Sequence, residues 1–268
     1  MPKTKPEEDA KLLFLKGKKA FDTGQTEDAF SNLNQAYLFY KQTNENAIVA
    51  EILRMLGELY FNKGMQIESR NYYKHAFTAF KNFNNKIGMA DCYDKITLSF
   101  MMQDELTHAN EYQEKALEIR KNTPDKKGLV RGMKNLAIIK YRLTEDGTIA
   151  IKILEEAYEL AKRSKDPQLI INILLDKSKM HSKTNDFESA MECIVIARRY
   201  GKKFSIKLPE ESEEEFANIL LNLGLNYYDK GDTSSALKYL KNASLILKSK
   251  NKSITESVES IISKLESN

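Results

Sequence analysis

A small residue returns along this chain at nearly constant intervals. Alanine stands at 36, 76, 116, 157, 197 and 243, in steps of 40, 40, 41, 40 and 46 residues. Seven residues before each lies a second small side chain: Ala29, Ser69, Ala109, Ala150, Ala190 and Ala236. Between each pair sits a larger one: Leu33, Tyr73, Gln113, Leu154, Ile194 and Leu240. About twelve residues upstream of the earlier small residue comes another: Gly17, Gly57, Thr97, Ala137, Ser178 and Gly224. A six-fold match at one period predicts tandem structural units.

Helix geometry explains why those positions are small. Residues four and seven apart share one face of an α-helix. Two helix axes come within about 8–10 Å only where the side chains at the crossing are short. Each unit is therefore expected to be two antiparallel helices touching at these points. Gly24, Gly64 and Gly231 are expected to end the first helix in a left-handed cap, with Asn185-Asp186 in that role in the fifth unit.

The stretches "LRMLGELYFNKG" (53–64) and "LLNLGLNYYDKG" (220–231), each followed by paired small residues, resemble the tetratricopeptide repeat. The resemblance runs over about residues 10–249, with a period nearer 40 than 34, no Trp and no closing Pro. It implies an all-α, right-handed α-solenoid of about six helix-turn-helix repeats. The expected repeats are 7–43, 46–83, 86–122, 126–164, 167–201 and 209–249, forming one domain over 1–268. After them, Ile254, Val258, Ile261 and Leu265 form one apolar stripe, predicting a capping helix over 252–266. Units 1 and 5 carry Lys16 and Lys177 where Leu is expected.

The remaining composition excludes more than it assigns. Forty-two basic and 38 acidic residues leave a net charge of +4, slight for 268 residues. Cys92 and Cys193 lie far apart inside apolar helical patterns and are expected to be buried free thiols in a reducing compartment. The start "MPKTKPEED" has no apolar core, and the strongest apolar run, "LIINILL" (169–175), is too short for a bilayer. A cytoplasmic protein with no membrane contact is the expectation. His75, His108 and His181 form no zinc-binding pair, and no phosphate loop, nucleophile elbow or Cys/His arrangement can be drawn. No catalytic residue, metal ligand or cofactor is expected, and the chain is not read as an enzyme.

The resemblance implies a concave surface lined by the first helix of each unit. Mapped onto this chain, its binding residues are Lys18 and Phe21; Arg54, Glu58 and Phe61; Asp94, Leu98 and Met101; Arg131, Lys134, Ile138, Tyr141 and Arg142; and Lys179. On this mapping units 2 and 3 supply mainly acids, with Glu51 and Asp91, and units 4 and 5 only bases. Such a cleft, with a floor of Leu98, Met101, Ile138 and Tyr141, suits an extended peptide or helix bearing both charges. Exposed helix positions are charged in most proteins, so sampling explains the asymmetry equally well.

The Lys/Asn set with which related repeats grip a C-terminal carboxylate is absent. The expected function is a protein-interaction scaffold or adaptor in signalling, its partner another protein or peptide. A peptide-responsive sensor is the alternative. Nucleic-acid binding by the basic half is a weaker one, because stacking aromatics do not alternate with the cations. The segment "RRYGKKFSIKLPEESEEE" (198–215) reads first as charges placed to suit two helix ends, and second as a contact loop.

Overall fold

A computed structural model describes residues 5–43, 45–248 and 252–267, and every regular element among them is an α-helix. There are thirteen: α1 (Lys5–Asp22), α2 (Thr26–Tyr40), α3 (Asn46–Asn62), α4 (Gln66–Asn82), α5 (Lys86–Met102), α6 (Leu106–Lys121), α7 (Lys126–Thr144), α8 (Gly147–Ser164), α9 (Pro167–Lys183), α10 (Phe187–Phe204), α11 (Glu211–Asp229), α12 (Thr233–Leu247) and α13 (Lys252–Glu266). The chain divides into two compact units, Met1–Leu143 and Thr144–Asn268, so α7 and α8 of the expected fourth repeat fall on either side.

In the first unit α1 packs on α2, α3 on α4 and α5 on α6, while α2 against α3 and α4 against α5 join one hairpin to the next. In the second, α9 pairs with α10 and α11 with α12, and α13 lies on α12. First helices of successive hairpins are neighbours, α1 beside α3 and α9 beside α11.

The recurring small residues are the contact points. All twelve positions of the two small series in the second helices are fully buried, and so are Thr97, Ala137 and Ser178 in the first helices. A Cβ placed on Gly17 would lie 2.8 Å from Leu33 Cγ, and one on Gly224 would lie 2.7 Å from Leu240 Cγ. On Gly57 it would meet the Tyr73 ring at 3.1 Å. The small residue of one helix therefore seats the large residue of its partner. Where serine replaces alanine or glycine, its hydroxyl is satisfied across the hairpin. Ser69 Oγ donates to Gly57 O and Ser178 Oγ donates to Ala190 O, both at 2.9 Å.

The first helix ends the same way in all six repeats. Gly24, Gly64, Asp104, Glu145, Asn185 and Gly231 hold φ between +56° and +76°. Their spacing is that of the alanines. In the last three repeats an aspartate follows and caps the next helix: Asp146 accepts from Thr148 N, Asp186 from Ser189 N and Asp232 from Ser235 N.

Two details differ from expectation. Val258 of α13 is buried, but Ile254 sits at the rim and Thr255 takes the inward place. Lys177 is 8% exposed, its ammonium held by Glu155 of α8 and lying 4.9 Å from the Tyr158 ring centre, so a cation fills the leucine site by pairing. Cys92 and Cys193 are buried and free, and burial pushes the Cys193 thiol up to about 11. No helix among the described residues is long and apolar enough to cross a membrane.

Candidate functional site

Side-by-side first helices leave a cleft of about 370 Å³ in the first unit, lined by Arg54 of α3, Asp91, Asp94, Lys95 and Leu98 of α5, and Arg131 and Asn135 of α7. The repeat register puts these residues together. Arg54, Asp94 and Lys134 occupy equivalent places 40 residues apart, and Asp91 and Arg131 precede the latter two by one turn.

Beneath the cleft lies a charge network centred on Arg120 of α6, whose side chain is wholly buried. Its Nη1 donates to Asp94 Oδ2 at 2.5 Å, Nη2 donates to Asp91 Oδ1, and Nε donates to Asp125 Oδ2 at 3.0 Å. Gln113 Nε2 donates to Asp94 Oδ1 at 2.9 Å. Burial pushes the Asp94 carboxyl above its ordinary range, against the pull of Arg120 and Gln113. Asp125 is held below it: burial opposes its charge, but the Gly128 N–H and Arg120 outweigh burial. A Cβ on Gly128 would fall 1.9 Å from Asp125 Oδ2, so only glycine lets this loop close on the guanidinium.

The rim charges are paired as well. Arg54 grips Glu51 with two hydrogen bonds of 2.9 and 2.7 Å, and this contact lowers the Glu51 pKa. Lys95 Nζ lies 2.5 Å from Glu58 Oε2, and Tyr73 OH donates to the same oxygen at 2.8 Å. Arg142 pairs with Asp104 at 2.6 Å. Arg131 is held most loosely. It is 59% exposed and lies 3.4 Å from Asp91 and 4.0 Å from Asp94. In the first unit the mapped acids are thus paired with cations of their own and neighbouring helices, Arg120 among them.

Of the other residues mapped from the sequence, Lys18 is exposed on α1 and Phe21 packs on the apolar cluster around Leu33 and Leu56. Phe61, Lys134, Ile138 and Tyr141 are half-buried, and Met101 packs against the cluster around Tyr73 and Phe100. Lys179 lies in the second unit, in a cleft of about 420 Å³ with Ser182, Lys183, Asn185, Glu215, Asn218 and Asn222 among its lining. The 198–215 segment behaves as a pair of helix ends. Lys202 and Lys203 close α10, Glu211, Glu213 and Glu214 open α11, and Arg198 bridges to Glu213 at 2.8 Å.

Lys95, Asn135 and Arg120 were not legible in the sequence as site residues. The sequence signal for the network was Gln113, polar where five other repeats are apolar or aromatic, and Thr97 and Asp94 share that repeat. His181 packs beside Asp186, its Nδ1 3.1 Å from Oδ2. No group of three metal-ligating side chains occurs among the described residues.

No family model and no curated protein matches the sequence. Solved structures do match its fold. The apo form of RapI superimposes with a TM-score of 0.69 at 21% identity, covering 90% of this chain and 64% of that one. A signal-transduction ATPase with a tetratricopeptide repeat sensor, from Pyrococcus horikoshii, gives 0.69 at 16% identity over 97% of this chain and 38% of that one. A Rap protein complexed with competence and sporulation factor gives 0.61 at 12% identity over 99% and 77%. The fold is that of the tetratricopeptide-like helical-repeat proteins.

Proposed function

We propose that this chain is a non-catalytic protein-interaction module that holds a peptide or helical segment of a partner against its first helices. The observation that carries this is the cleft between α3, α5 and α7, where charged and apolar side chains from three successive repeats open into one space. The residues mapped from the sequence, Lys18 to Arg142 in the first unit and Lys179 in the second, are its proposed contacts. The single-domain reading of 1–268 and a cytoplasmic location belong to the same proposal. Binding of a short peptide as a signal is the second reading, favoured by the structural likeness to a Rap protein complexed with competence and sporulation factor. A nucleic-acid role for the basic half loses support from the pairing of Arg131 with Asp91 and of Arg142 with Asp104.

The test is affinity capture from native lysate with the wild type and with Arg131→Glu/Lys179→Glu. Loss of a captured partner in the double variant, at unchanged helical content, is the expected result. Equal capture by both proteins, with equal salt dependence, contradicts the assignment.

A further inference from the structure

The side of α1 turned away from its own hairpin carries an ordered stripe. Lys5, Glu8, Leu12, Leu15, Lys19 and Asp22 follow one another in steps of three and four, so they share one side of the helix. All of them are exposed, Leu12 by 51% and Leu15 by 50%. The opposite side, with Ala10, Gly17 and Ala20, is buried. Among the described residues, the charged side chains of the stripe make no ion pair.

The same side of every later first helix is closed. Leu12 corresponds in the repeat register to Ile52, Cys92, Gly132, Ile173 and Ile219, each of them buried. In α3, Ile52 and Met55 match Leu12 and Leu15, and both belong to the apolar cluster that holds Leu33, Ala36 and Tyr40 of α2. This side of a first helix is therefore the one on which another helix rests. On α1 the central leucines are kept, but Glu8 and Lys19 stand where α3 has Ile48 and Leu59. An apolar helix laid there would strand those charges, so the face calls for a partner of matching charge.

The stripe matches itself when reversed. In an antiparallel pair of α1 helices centred between Leu12 and Leu15, Leu12 of one copy meets Leu15 of the other. Glu8 then meets Lys19, and Lys5 meets Asp22. Asp9 and Lys16, on one flank of the stripe, also come opposite each other. Lys11 and Lys18, on the other flank, are like charges in this register and offset part of the gain. A parallel pair would set Glu8 on Glu8 and Lys19 on Lys19, so charge selects the antiparallel order. That order has the two-fold symmetry of a closed dimer.

We propose that α1 is a homodimerisation surface, on which a second copy of this chain lays its own α1 antiparallel, with Leu12 and Leu15 at the centre. A single helix pair is a small interface of the transient class, so a Kd of about 10–100 µM is expected. None of the stripe residues is among the proposed partner contacts, and the capture experiment judges those separately.

The test is sedimentation equilibrium of the full chain at about 5–500 µM. The wild type is expected to pass from monomer to dimer across that range. Leu12→Glu/Leu15→Glu is expected to stay monomeric at unchanged helical content, because both side chains lie at the surface. Glu8→Lys and Lys19→Glu, each alone, are expected to raise the Kd at least about fivefold. The two exchanges combined recreate the opposite-charge pairs and are expected to restore the Kd to within about twofold of wild type.

A wild type still monomeric at the highest concentration overturns the proposal. So does a dimer that Leu12→Glu/Leu15→Glu leaves intact, since the interface would then lie elsewhere on the chain. If the combined exchange associates no better than the single ones, the antiparallel pairing is wrong.

Discussion

Glu145 holds φ +56° where Gly24, Gly64 and Gly231 stand in equivalent turns. Left-handed backbone costs a side chain roughly 1 kcal/mol that glycine does not lose. The Glu145 side chain is exposed, so little offsets that cost. Glu145→Gly is therefore expected to raise stability by about 0.5–1 kcal/mol, and Gly64→Ala to lower it by about 1 kcal/mol, in urea unfolding. Opposite signs would mean that the turn is held by something other than its dihedral angles. Asp104 would be a poorer test, because its carboxylate also pairs with Arg142. The glycine caps were legible because glycine is rare in this chain and falls at the repeat spacing. Asp104 and Glu145 were not, since their residue types do not announce a left-handed turn.

At the scale of elements, the hairpins follow from which positions must be small. Gly17, Gly57 and Gly224 were recognisable as crossing points because the partner helix brings Leu33, Tyr73 or Leu240 into the same spot. The third repeat departs from that scheme. Its interposed residue is Gln113, and α5, α6 and α7 are tied by Arg120 instead of by apolar contact alone. Recurrence reveals what units share, so a network confined to one repeat stays hidden behind a single odd residue.

Removing the Arg120 guanidinium leaves Asp94 buried without its cation, which costs about 3–5 kcal/mol for such groups. Arg120→Met is therefore expected to be strongly destabilised at neutral pH. The Asp94 pKa is already raised by burial, and losing Arg120 raises it further. A carboxyl with a raised folded-state pKa favours the native state in acid and loses that contribution as pH rises through the folded value. Asp125, held low partly by Arg120, would lose stabilisation at neutral pH in the same variant. The deficit relative to wild type should thus shrink between pH 7 and pH 4.5. A deficit independent of pH, measured by urea unfolding at both values, would place the cost in packing and not in charge.

Across the whole molecule, the repeat count, helix order and fold class were readable from the sequence, because six recurrences over-determine a period that one cannot. The candidate site was readable in part. Arg54, Asp94, Leu98 and Arg131 follow from register and share the cleft. Lys95 and Asn135 sit one position away from mapped residues, and register alone does not say which of two adjacent side chains turns inward. Pairing was the other blind spot, since Arg120 reaches the site from a second helix.

The central claim is that partners are held where first helices of successive repeats meet. The most direct measurement replaces Leu98 with a photo-crosslinking residue in the full chain, with the same replacement at exposed Thr78 of α4 as comparison. Irradiation in native lysate is predicted to give a covalent adduct through position 98 and none through position 78. An adduct through position 78 with nothing at 98 would contradict the account.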